Sequence, residues 1–263
     1  MGKAARLKKE RRQAAAQPVA PTPAIPQRAI VFGTAGLVIV AGVAVGILLA
    51  TRSSPKAPPP AATSAADQNA PAALVAAADK VGFHPNVEPG VGKLEGEPAS
   101  AARPPSNPNL LAVGSKAPAF TLKTPEGKRV SLAGYRGKAV LLEFFATWCP
   151  HCDAEAPHLR DLFASRPRSR YALVAVNADG EDAASVYAYD RYFGLASPTL
   201  LDPSSQPGSF HNQGAAGPVT TRYQVQAYPT LYVLDRNGRI TWRSDGEQPD
   251  ALLRQELRSA AVA

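Results

Sequence analysis

Cysteine is scarce: Cys149 and Cys152 are the two in 263 residues. A tight metal site usually takes three or four ligands, so two thiols do not make one alone. Covalent haem attachment needs histidine directly after the second cysteine, and position 153 is Asp. Excess charge is scarce too, once the N-terminus is set aside. The chain carries 29 Lys and Arg against 21 Asp and Glu, but residues 1–28 hold seven of the bases with Glu10 as their one acid, leaving 22 bases and 20 acids elsewhere. A nearly neutral remainder lacks the basic footprint of a nucleic-acid-binding surface.

Ala29 to Ala50 lacks charge altogether. As a helix this run would span about 33 Å, enough for a hydrocarbon core of about 30 Å. Residues 29–51 are therefore expected to form a transmembrane helix. Gly33, Gly36, Gly42 and Gly46 agree with that reading, because glycine is commoner in membrane helices than in soluble ones. The bases of residues 1–28 outweigh Arg52 and Lys56 beyond the span. The positive-inside rule then keeps the tail cytoplasmic and puts everything after Arg52 outside the cell membrane, periplasmic or at the cell surface. A cleaved signal peptide is the competing reading, but its apolar core is usually about 7 to 15 residues long and ends at a small-x-small site. This run is longer and meets Thr51-Arg52.

Residues 52–108 are sparse in bulky apolar side chains and rich in Pro, Ala, Ser and Thr, with Pro58-Pro59-Pro60 and Pro104-Pro105 as stiff points. Such a segment buries too little apolar surface to offset its ordering entropy, so it is expected to be a tether with an end-to-end distance of about 40 Å. Two stretches stand apart. Ala72 to Ala78 has the composition of a short helix, and Val81 to Leu94, with Phe83 and His84, is less repetitive, which leaves docking onto a folded domain open.

The folded domain is expected over residues 109–263. Ala119–Leu122 and Arg129–Leu132 read as short strands, Ala139–Phe145 and Tyr171–Asn177 as buried strands, and Thr199–Leu201 as another short one. Helices are expected from the cysteine pair to about Ser165 with a kink at Pro157, over Asp182–Tyr192, ending near Thr220–Gln224, and over Pro249–Arg258 with Leu252, Leu253 and Leu257 inward. Thr230–Leu234 and Arg239–Arg243 form a hairpin across Asp235-Arg236-Asn237-Gly238. Strands and helices alternate early and a hairpin comes late. The expected fold class is α/β, a central mixed sheet with helices on both faces.

Trp148-Cys149-Pro150-His151-Cys152 stands where the strand ending near Ala146 gives way to a helix. The first N–H groups of a helix are unpaired and its dipole is positive there, a field that favours a thiolate. The spacing and the placement predict a redox-active pair.

Residues 137 to 152, Gly-Lys-Ala-Val-Leu-Leu-Glu-Phe-Phe-Ala-Thr-Trp-Cys-Pro-His-Cys, resemble the active-site region of thioredoxin-fold proteins. Phe120-Thr121-Leu122, Ser131-Leu132, Arg136-Gly137-Lys138, Tyr228-Pro229-Thr230 and the turn Asp235 to Ile240 are similar to the membrane-tethered TlpA/ResA-like thiol:disulfide oxidoreductases. The resemblance covers about Asn109 to Ala263. It implies that Cys149 is the exposed attacking thiol, Cys152 the buried resolving thiol, and Pro157 the helix-kinking proline. It also implies that Pro229 is a cis-proline facing the disulfide, beside backbone at Tyr228 that pairs with an extended substrate. Glu143, a carboxylate in an apolar strand, should have a raised pKa. It matches the buried acid that moves a proton to or from Cys152; an edge-strand carboxylate reaching solvent is the bland alternative. Trp148, Pro150 and His151 would modulate the site, Trp148 as a wall beside Cys149.

His151 speaks to direction. A cationic histidine between the cysteines favours the Cys149 thiolate and makes the disulfide more oxidising. Cys-Pro-His-Cys resembles the oxidising DsbA proteins, whereas the scaffold shows no separate helical insertion and carries Tyr228 before Pro229. The resulting expectation is a membrane-anchored, extracytoplasmic oxidoreductase that reduces disulfides of exported proteins, for example in cytochrome c maturation. A DsbA-like oxidase is the alternative. A third reading is a copper-delivery protein, in which His151 with His158 or His211 completes a ligand set. No cofactor beyond the Cys149–Cys152 disulfide is implied. The implied partners are exported thiol or disulfide proteins, a membrane electron donor or acceptor, and the lipid bilayer through residues 29–51, with no nucleic acid.

Overall fold

The computed structural model describes residues 70–86, 88, 91–92, 96–101, 104–195, 197, 199–203 and 216–263. The tail 1–28, the span 29–51 and His211 lie outside these residues. Among the described residues no helix is long and apolar enough to cross a membrane.

Among the described residues seven strands form one mixed sheet: β1 (Thr121–Lys123), β2 (Arg129–Ser131), β3 (Ala139–Phe145), β4 (Tyr171–Asn177), β5 (Thr199–Leu201), β6 (Thr230–Leu234) and β7 (Ile240–Asp245), in the spatial order β2-β1-β5-β4-β3-β6-β7. β3 lies parallel to β4 and antiparallel to β6, so every residue of β3 is buried. A strand covered on both faces needs apolar residues at successive positions rather than at alternate ones, which is why Ala139 to Phe145 is a near-continuous apolar run.

The described residues hold five α-helices: α1 (Ala72–Val81), α2 (Pro150–Ala164), α3 (Ala183–Phe193), α4 (Pro218–Arg222) and α5 (Asp250–Ala260). Side chains alternate across β3. Ala139 and Leu141 join Leu159 and Leu162 of α2 and Leu253 and Leu257 of α5 on one face. Val140, Leu142 and Phe144 join Val186 and Tyr189 of α3 and Val219 on the other. Leu252, Leu253 and Leu257 are buried as expected. α3 starts where Asp182 caps it, its carboxylate accepting the N–H groups of Ala184 and Ser185, and stops at Gly194 in the left-handed conformation. α4 ends at Arg222, two residues short of expectation, because Gln224 takes a φ of 57°.

The tether expected over 52–108 needs correction. From Ala70 onward the described residues pack on the domain. Ala78 of α1 is buried against Tyr187 and Ala188 of α3, and Asp79 pairs with Arg191 at 2.6 Å. Phe83 inserts among the rings of Tyr189, Tyr192 and Phe193, with centroids 5.1, 5.1 and 5.5 Å away. Further on, Asp245 accepts the N–H groups of Ser106 and Asn107 and the Ser106 hydroxyl. The apolar surface that binds this segment belongs to α3, so an alanine-rich composition suffices to dock it.

Candidate redox site

β3 delivers its C-terminal end to the start of α2, and the cysteines sit at that junction. Cys149 is the N-cap of α2: its backbone is extended, its carbonyl accepts the Asp153 N–H at 3.0 Å, and its Sγ accepts the Cys152 N–H at 3.3 Å. Pro150 occupies the first helical position, where no N–H is needed. Both cysteines are thiols, Cys149 4 % exposed and Cys152 fully buried. The expected contrast between an exposed and a buried thiol is therefore small. Cys149 turns its sulfur back onto the helix N-terminus, where the capping bond holds it, rather than out to solvent. α2 continues past Pro157 to Ala164.

Glu143 lies on the β3 face covered by α2 and α5 and is 4 % exposed. β3 is a central strand, flanked by β4 and β6, so the edge-strand alternative does not hold. Burial pushes the Glu143 carboxyl up to about 8. Burial also pushes the Cys152 thiol well above its ordinary range, and the neighbouring Cys149 and the Glu143 charge add to that. A carboxylate titrating near 8 beside a thiol of raised proton affinity can take the thiol's proton when the thiol must become a nucleophile.

Trp148 is 43 % exposed, donates its indole N–H to Asp179 at 2.8 Å, and meets Tyr228 edge-on with centroids 6.0 Å apart. The Tyr228–Pro229 peptide is cis, and the Pro229 carbonyl accepts the Gly246 N–H at 2.7 Å. The loop before the cysteines is pinned by Glu181, which accepts the Thr147 N–H at 2.8 Å and an Asn177 amide proton at 2.6 Å.

Three neighbours went unnoticed in the sequence. Glu247, 6 % exposed in the turn after β7, places Oε1 2.5 Å from Nδ1 of His151. Glu155, one turn into α2 and 3 % exposed, is pushed well above the usual carboxyl range by burial and then by Glu143. Asn86 comes from the segment read as a tether: its N–H donates to Asp153 at 2.6 Å and its amide to the Trp148 carbonyl at 3.2 Å. Burial, opposed by that Asn86 bond, pushes Asp153 up to about 6. The i, i+3 spacing of Cys152 and Glu155 could have marked Glu155; no local signal marks the other two. His158 stands 4.0 Å from Asp250. Among the described residues no three His, Cys, Asp or Glu side chains group as metal ligands.

A thiol pair capping a helix at the end of the central strand of this sheet, beside a buried carboxylate, has the arrangement of a thioredoxin-fold thiol:disulfide oxidoreductase. Residues 113–243 match the AhpC/TSA family. Thiol-disulfide oxidoreductase ResA of Geobacillus thermodenitrificans (strain NG80-2) is 33 % identical over 149 residues, 57 % of this chain and 78 % of that protein. ResA of Geobacillus kaustophilus (strain HTA426) is 35 % identical over 130 residues, 49 % and 67 % of the two chains. A solved thiol:disulfide interchange protein, a thioredoxin family protein from Chlorobium tepidum TLS, is 27 % identical with a TM-score of 0.43 over 57 % of this chain and 99 % of its own. The chain belongs to the ResA-like thiol-disulfide oxidoreductases.

Proposed function

We propose that this chain is a membrane-anchored, extracytoplasmic reductase of disulfides in exported proteins, acting through Cys149 and Cys152. The anchor is the uncharged run at residues 29–51, and the bases of residues 1–28 orient it with the N-terminus in the cytoplasm.

The observation that carries the direction is the pairing of His151 with Glu247. An unpaired imidazolium between the cysteines would stabilise a Cys149 thiolate, and a stabilised reduced form makes an oxidant. With a carboxylate 2.5 Å from Nδ1, a positive charge on the ring is offset locally and its field at the sulfur is weakened. Burial and Glu143 further disfavour a thiolate at Cys152. A pair whose resolving thiolate is disfavoured is less stable in its reduced form and passes its electrons on more readily.

In the forward reaction the Cys149 thiolate attacks one sulfur of the substrate disulfide. That bond breaks, the second substrate sulfur leaves as a thiolate and is protonated from water, and a Cys149–substrate disulfide remains. Cys152 gives its proton to Glu143 and attacks the Cys149 sulfur, releasing the other substrate thiolate. Two electrons have passed to the substrate, and the Cys149–Cys152 disulfide must be reduced again by a membrane electron donor. Apocytochrome thiols are one class of exported substrate with this need. Tyr228 and Pro229 line the approach to Cys149 and orient the substrate strand, while Trp148 and Pro150 shape its mouth.

Trapping tests the proposal in cells: the full chain carrying Cys152→Ala should collect exported proteins as mixed disulfides from cells that lack its electron partner. Cleavage of the domain by protease added outside intact spheroplasts tests the orientation, and protection of the domain would refute it.

A further inference from the structure

At the other end of β3, roughly 20 Å from the cysteines by the strand's own rise, lies a cleft of about 570 Å³. It is formed by the last turn of α2, the residues entering β3 and β4, and the turn after α3. Its volume falls within the range of about 300 to 1,000 Å³ usual for small-molecule sites. Lys138, Arg160, Arg166 and Arg168 line it, against one acid, Asp161. Arg160 already occupies that acid, with Nε to Oδ1 at 2.7 Å and Nη2 to Oδ2 at 3.2 Å. Among the described residues Lys138, Arg166 and Arg168 have no carboxylate partner.

Arg166 is the informative residue. Its guanidinium carbon lies 4.7 Å from the centroid of the Tyr171 ring, within cation–π range. Its Nε is enclosed and donates to nothing among the described residues. Burial, opposed by Tyr171 and joined by the like charges of Arg254 and Arg258, loosens its hold on its proton. An enclosed donor without an acceptor is costly, and so is a cation among cations. One anion in the cleft would relieve both. A planar guanidinium with a lysine ammonium suits phosphate oxygens, while Phe163 and Leu195 add an apolar wall that a bare phosphate would leave uncovered.

We propose that this cleft binds a phosphate ester carrying an apolar body, with Arg166, Arg168 and Lys138 holding the phosphate and Phe163 and Leu195 facing the body. Two sources offer that chemistry, the headgroup of an anionic phospholipid and a soluble phosphate ester.

Calorimetric titration of the full chain in a nonionic detergent separates them, with dihexanoyl phosphatidylglycerol and hexyl phosphate as probes and dihexanoyl phosphatidylcholine as the zwitterionic control. Saturable one-to-one binding of the phosphatidylglycerol is expected, weakened about tenfold by Arg166→Ala. Arg168→Ala, at an exposed position, should weaken it at least about threefold with an unchanged melting temperature and unchanged disulfide exchange at Cys149. Hexyl phosphate binding as tightly as the lipid would support the site and assign it to a soluble ester. Should Arg166→Ala fail to fold, Arg168→Ala and Lys138→Ala carry the test. Absence of saturable binding for either anion overturns the proposal. So does equal binding of phosphatidylcholine, or binding unmoved by the substitutions that fold.

Discussion

Glu247 holds His151 from one side and the N-terminal segment from the other: Oε1 lies 2.5 Å from Nδ1 of His151, and Oε2 accepts the Gly92 N–H at 3.1 Å. His151, one of the two residues between the cysteines, is thus tied to a segment some sixty positions earlier through one carboxylate. Glu247→Gln keeps a hydrogen-bonding group there and removes the charge. The expected result is a more oxidising disulfide, by about 30 mV or more, which is a tenfold change in the exchange equilibrium with glutathione. An unchanged potential would mean that the carboxylate does not offset the histidine.

Cys152→Ala leaves Cys149 able to attack but unable to release its product. Mixed disulfides through Cys149 should accumulate on non-reducing gels and vanish on reduction, and Cys149→Ala should form none. Trapping by Cys149→Ala and not by Cys152→Ala would reverse the roles given to the thiols.

Glu143 makes stability and turnover depend on pH. Its folded pKa, pushed up to about 8, lies above an unfolded value of about 4.3. The folded chain therefore binds this proton more tightly than the unfolded chain does. The resulting stability is full below about pH 4, declines as pH rises through the window, and is gone above about 8. Glu143→Gln should flatten that decline, so urea unfolding at pH 9 should find the variant more stable than the parent, on the order of a few kcal/mol. Release of substrate from the mixed disulfide should accelerate up to about pH 8 in the parent and lose that dependence in the variant.

Phe83 tests the docking of the N-terminal segment. Phe83→Ala removes a ring packed against three others and should cost about 2 kcal/mol, a fall in melting temperature of roughly 5 °C. Limited proteolysis should cut the variant between Ala70 and Asn86 before the rest of the domain. A parent chain cut there equally fast would contradict the docking.

Much of this architecture was legible because its signals are local. β3, β4, β5 and β6 announce themselves as short apolar runs bounded by turn residues, and α3 carries its own cap at Asp182. The cysteine pair was legible from spacing and position, and Glu143 because a carboxylate stands out in an apolar strand. What stayed hidden depends on partners distant in sequence. Glu247 sits in an unremarkable Asp-Gly-Glu-Gln turn, and only the pairing of β6 with β7 carries it to His151. Asn86 and Phe83 lie in the stretch Val81 to Leu94, which its composition left open to docking without showing where, because the surface that orders them is supplied by α2 and α3. The near-complete cover of Cys149 follows from its capping bond to Cys152, a geometry that spacing alone does not set.

The most direct measurement is the reduction potential of the Cys149–Cys152 pair in the full chain, equilibrated against dithiothreitol or glutathione buffers. A reductase whose histidine charge is offset by Glu247 should lie toward the thioredoxin end of the scale, near about −270 mV. A value toward about −120 mV would contradict the account, because a disulfide that avid for electrons accepts them from exported thiols rather than donating them.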